Sequence, residues 1–74
     1  MDSFKIKVKI GSSEMELDVS GSTKIAEVKR LIQQRANVAF VKKKLTYSGK
    51  ALDDDLTLTQ LGIKSGSKLD VENA

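Results

Sequence analysis

Cysteine and histidine are both absent from this 74-residue chain. Without cysteine there is no disulfide framework, and without either residue the usual tetrahedral zinc site, the Cys-His pair and the Ser-His-Asp triad are excluded. Any acid-base chemistry would fall to Asp, Glu, Lys or Tyr. Aromatic residues are scarce as well, with one Tyr, two Phe and no Trp, which leaves little on which nucleic-acid bases could stack. No apolar run approaches the roughly 20 residues of a membrane-spanning helix, and the opening Met1-Asp2-Ser3-Phe4-Lys5 has no apolar signal core. The expectation is a cytoplasmic or nuclear protein with no membrane segment and no cofactor or metal.

Seventy-four residues, 39% of them hydrophobic, allow one small domain around a single core, near the lower end of what folds without staples. A single domain over residues 1–74 is therefore expected. The net charge of +3 and the pI of about 9.3 leave acidic partners open but are no nucleic-acid signature.

Hydrophobic periodicity then sets the order of elements. Phe4, Ile6, Val8 and Ile10 alternate with Lys5, Lys7 and Lys9, the period of a strand with one buried face. After the turn residues Gly11-Ser12-Ser13, Met15, Leu17 and Val19 alternate with Glu14, Glu16 and Asp18, which predicts a second strand and a hairpin. The lysine row thus has an explanation as half of a charge ladder, each opposed pair contributing about 0.2–1 kcal/mol relative to an Ala pair. Past Ser20-Gly21-Ser22-Thr23 the period changes: Ile25, Val28, Leu31 and Ile32 form one stripe of a helix over residues 24–36. Ser22 or Thr23 suits its N-terminal cap, and Asn37 the left-handed position after it. Leu45 and Tyr47 mark a third strand, Ala51-Leu52 a short pairing segment, Leu56 to Leu61 a helical turn capped by Asp55, and Lys68 to Glu72 the last strand. These faces can all be buried together if the helix lies across one side of a mixed sheet. The fold class is α+β.

The stretch Lys44-Leu45-Thr46-Tyr47-Ser48-Gly49-Lys50-Ala51-Leu52, the Leu-x-x-Leu-Gly-Ile run from Leu58 to Ile63, and the closing Lys68-Leu69-Asp70-Val71 resemble the ubiquitin superfamily, with the order of elements matching over nearly the whole chain. The first hairpin is one residue shorter than in ubiquitin itself. The resemblance implies a ubiquitin-like β-grasp, with a four- to five-stranded mixed sheet, one helix across it and a short helical turn. It also implies a non-enzymatic, monomeric, non-covalent interaction module of an adaptor, shuttle, co-chaperone or ubiquitin-pathway protein, whose partner is a proteasome or ubiquitin-receptor subunit or a chaperone. The family's apolar patch on the open sheet face falls at Gly11, Thr46 and Glu72, all three lacking its large aliphatic group. The implied protein-binding residues are Lys44, Thr46, Gly49, Lys50, Lys68 and Asp70, with Phe40, Lys7 and Lys9 as secondary contacts.

Two alternative functions and two local features stand beside this reading. A covalent modifier of the same family would need a Gly-Gly tail, whereas this sequence closes on Glu72-Asn73-Ala74, so that reading takes the sequence as truncated. An RNA-binding role would rest on Lys5, Lys7, Lys9, Lys42, Lys43, Lys44 and Lys68; the acidic second strand, Asp70 and Glu72 oppose it. Asp53-Asp54-Asp55 lacks the alternate ligand spacing of a calcium loop and reads as a solvated turn. Phe40-Val41 either folds back over the core edge or forms a docking spot of its own.

Overall fold

In a computed structural model of the chain, residues 3–74 are described; Met1 and Asp2, part of the opening read for a signal core, lie outside them. The alternating opening forms β1 (Ser3–Ile10) and β2 (Ser13–Ser20), an antiparallel hairpin in which Ile10 faces Ser13 across a two-residue turn. Gly11 takes φ +60° there, a conformation that side chains with a Cβ adopt at a cost. Helix α1 (Ile25–Ala36) follows, then β3 (Lys43–Tyr47), β4 (Lys50–Ala51) and β5 (Lys68–Asn73). The strands join in the order β2-β1-β5-β3-β4, with β1 and β5 parallel and the other pairs antiparallel. This is the β-grasp expected.

The core is the convergence of the predicted stripes. Ile6 and Val8 from β1, Leu17 and Val19 from β2, Ile25, Val28 and Ile32 from α1, Leu45 from β3 and Leu69 from β5 are all buried, joined by Leu58 and Ile63 from the intervening turns. Burying each such side chain contributes about 1.5–3 kcal/mol. Asn37 adopts the left-handed conformation after the helix, φ 54° and ψ 36°, as its short polar side chain permits.

Three local expectations need correction. The start of α1 has no side-chain cap: the Thr23 hydroxyl instead accepts from the Ser20 amide at 3.0 Å. The helix's first donors are met by another segment, the Ile25 amide by the Leu56 carbonyl at 3.0 Å and the Ala26 amide by that of Asp54 at 3.1 Å. A long-range backbone contact thus does what a local hydroxyl was expected to do. The Leu56 to Leu61 segment holds the single helical turn expected, the Leu61 amide reaching the carbonyls of Thr57 and Leu58, both at 3.2 Å, but its capping differs. Asp55 does not cap it. The Thr57 hydroxyl accepts from the Gln60 amide at 3.2 Å while the Gln60 side chain accepts from the Thr57 amide at 2.9 Å, a reciprocal pair made possible by their three-residue spacing. Finally, β4 comprises Lys50–Ala51 and not Ala51-Leu52, although the Leu52 amide still donates to the Leu45 carbonyl at 2.9 Å.

Candidate functional site

The helix covers one face of the sheet, so the side chains available to a partner are the alternate residues on the other. Strand register assembles them in rows. Glu14, Lys9, Asp70, Thr46 and Ala51 form one row across all five strands; Glu16, Lys7 and Lys68 form the next; Lys44 pairs with Glu72 and Lys5 with Asp18 at the margins. The expected charge ladder between β1 and β2 is therefore present in register. Lys5 donates to Asp18 at 2.8 Å, and Lys68 reaches diagonally over β1 to Glu14 at 3.2 Å. The Lys5 hydrogen bond holds the Asp18 carboxyl below its ordinary range, and the same bond raises the Lys5 ammonium. Lys5, Lys7, Lys9, Lys44 and Lys68 are matched by Glu14, Glu16, Asp18, Asp70 and Glu72, so this face carries five charges of each sign. It is not a basic surface.

The centre of the face differs from a simple exposed patch. Thr46, expected as a contact residue, is only 1% exposed. Its hydroxyl donates to the Glu72 carboxylate at 2.7 Å. Thr46 therefore acts as the seat of Glu72 and offers no open surface. Next to this pair, Lys9, Gly11, Asp70, Val71 and Glu72 line a shallow depression of about 230 Å³. Two of the three positions where the family's aliphatic patch would fall, Gly11 and Glu72, border it. Its walls hold charge where that patch would place apolar groups.

The other expected residues divide. Lys68, Lys7 and Lys9 are exposed on the outer face, and Lys44 and Asp70 are half-buried there. Gly49 and Lys50 lie at the β3–β4 turn, where Ser48 and Gly49 take φ 51° and 80°. Lys50 pairs with Tyr47, one residue out of step with Thr46, and is exposed at the sheet edge. Phe40 and Val41 lie in different surroundings. A 3₁₀ turn at Phe40–Lys42 folds Phe40 against the core, with the Lys29 ammonium 5.5 Å from its ring centre, while Val41 is 88% exposed. Lys29 also pairs with Asp54 at 2.7 Å, which gives the middle carboxylate of the Asp53-Asp54-Asp55 turn a structural partner. The Asp53 carboxylate accepts the Asp55 amide at 2.9 Å, as a turn-forming aspartate does.

Sequence reading missed a second depression of about 390 Å³, lined by Ser20, Gly21, Ser22, Thr57 and Thr59. A Cβ on Gly21 would sit 2.3 Å from the Thr59 hydroxyl oxygen, so a larger residue there requires that side chain to turn. The signal was a glycine amid small hydroxyl residues, which says only that backbones approach.

A sequence model of the ubiquitin family matches residues 4–72. The chain belongs to the ubiquitin family. It is similar to UV excision repair protein rhp23 of Schizosaccharomyces pombe, 47% identical over 47 residues that make up 64% of this chain and 13% of that protein. Similarity to BAG family molecular chaperone regulator 3 of Arabidopsis thaliana is 28% identity over 93% of this chain and 23% of the relative. The ubiquitin-family chain thus spans less than a quarter of the length of either relative. Among solved structures, a ubiquitin of Caldiarchaeum subterraneum superposes with a TM-score of 0.87 at 29% identity, covering 97% of this chain and 94% of that one.

Proposed function

We propose that this ubiquitin-like domain is a non-covalent, non-catalytic protein-interaction module whose outer sheet face binds its partner through charge and hydrogen bonding. The observation that carries this reading is the buried Thr46 hydroxyl bonded to an exposed Glu72 carboxylate beside a charged depression, at the place where an apolar anchor would otherwise sit. Binding hot spots lie in desolvated apolar centres, so a helix built to insert an aliphatic side chain finds no seat here. A partner with complementary charges does. The relatives in which a similar segment is a small part of a longer protein support a module working within a larger adaptor, shuttle or co-chaperone. The partner proposed is a proteasome or ubiquitin-receptor subunit or a chaperone, and the BAG-family likeness favours the chaperone side.

Amide chemical-shift titration of the labelled domain with a receptor helix and, separately, with a chaperone tests the reading. Shifts centred on Lys9, Lys44, Lys68 and Asp70 are expected. Lys44→Glu and Lys68→Glu should slow association and alter its salt dependence without disturbing the fold, since both side chains sit on the outer face. Equal binding by wild type and both variants would sink the outer-face site.

A further inference from the structure

Strand β2 is one edge of the sheet, eight residues long, and among the described residues no strand pairs with its outer side. Register tells which of its backbone groups are free. The Lys7 amide donates to the Ser67 carbonyl and the Lys5 carbonyl accepts from the Gly66 amide, both at 2.9 Å, so these β1 residues turn their backbone groups away from β2. Their antiparallel partners, Glu16 and Asp18, are therefore non-hydrogen-bonded pairs whose own N–H and C=O point outward, and alternation adds Glu14. Arg35, from the last turn of α1, approaches from that side and donates to the Glu16 carbonyl in a long, exposed contact of 3.4 Å.

The three residues with outward backbone groups are also those that place carboxylates on the outer face. The chain itself shows what complements such a strand: β1 sets Lys5, Lys7 and Lys9 opposite Asp18, Glu16 and Glu14 while its aliphatic residues face the helix side. On that helix side the free flank of β2 offers half-buried Met15. A segment with the pattern of β1, added on the other flank, would meet the same carboxylates and the same apolar side. Pairing of two β2 strands from two copies would instead oppose acid to acid, which is destabilising.

We propose that the β2 edge is a second docking site, distinct from the outer face, that accepts an extended partner segment of alternating basic and aliphatic residues as a sixth strand. Main-chain hydrogen bonds to Glu14, Glu16 and Asp18 supply affinity, and the carboxylate row selects the basic pattern. Arg35 competes for the Glu16 carbonyl and repels the incoming cations.

Amide exchange of the labelled chain, read with and without an alternating Lys/Val peptide of about six residues, tests this site. At saturating peptide the Glu14, Glu16 and Asp18 amides should exchange at least about tenfold more slowly, since they become bonded. A Glu/Val peptide should leave them unchanged. Glu16→Lys should abolish the protection, and Arg35→Ala should tighten binding about twofold by freeing the carbonyl. Where Glu16→Lys disturbs the spectrum, the near-isosteric Glu14→Gln/Asp18→Asn chain replaces it, with weakened protection expected. Shifts scattered over the charged surface without protection of those three amides, equal protection by the Glu/Val peptide, or no change at millimolar Lys/Val peptide would each overturn the proposal.

Discussion

The two faces of this sheet are made by the same strands, residue by alternate residue, and they obey different rules. On the helix side Leu69 is fully buried in the aliphatic core; one residue on, Asp70 faces outward in a row with Lys9 and Thr46. The inner face is held by area removed from water and tolerates little loss of volume. The outer face is held by pairings that solvent screens, so its residues are free to be set by a partner. The sharpest way to break the comparison is to truncate both neighbours. Leu69→Ala should lower stability by about 2–5 kcal/mol through lost burial and the cavity left behind. Asp70→Ala should stay within about 0.5 kcal/mol. Denaturant unfolding of the two variants measures this, and similar losses would mean that the outer face is as structural as the inner one.

Within the outer face itself, the Thr46–Glu72 pair is the element that separates this chain from a family member with an apolar patch. Replacing Thr46 alone would push a larger side chain up against the Glu72 carboxylate, so the informative change is double. Thr46→Ile/Glu72→Val should create an exposed aliphatic centre and strengthen binding to a ubiquitin-recognising receptor helix by about 2 kcal/mol, the size of a hot spot. Calorimetric titration against wild type reads it. An unchanged affinity would show that the polar centre is not what limits that class of partner.

The same contrast explains what could be read from the chain. Strict alternation in Phe4 to Ile10 and the changed period from Ile25 to Ile32 specify which side chains are buried, because burial depends on pattern, and the observed core follows those stripes. Thr46 is buried in mid-sheet with its hydroxyl on the Glu72 carboxylate, 26 residues away, and no local pattern encodes that. Lys50 is exposed but pairs with Tyr47 and not with Thr46, an offset that depends on where β4 begins and that no local pattern encodes. The helix N-terminus shows the same limit: Ser22 and Thr23 have the right chemistry for a cap, yet the carbonyls of Asp54 and Leu56 occupy the position. Patterns of period two and nearly four are legible in one dimension; contacts between segments that meet only after folding are not.

The smallest effect belongs to the margin of the outer face, where Lys5 and Asp18 pair while exposed to solvent. The Asp18 carboxyl titrates below its ordinary range because of the Lys5 bond, so its contribution to stability is present above its unfolded pKa and is lost as pH falls through the lowered folded one. Lys5 titrates above its ordinary value, so its contribution is complete below the unfolded pKa and is lost as pH rises through the raised folded one. These are two ends of one interaction and count once. Thermal melts of wild type and Asp18→Asn should therefore differ slightly at neutral pH and converge in strong acid. The neutral-pH difference should shrink further in high salt, because ions screen exposed pairs. A gap that persisted in acid would mean that the Asn substitution acts through the β1–β2 backbone pairing and not through charge, which would make even this margin of the outer face part of the scaffold.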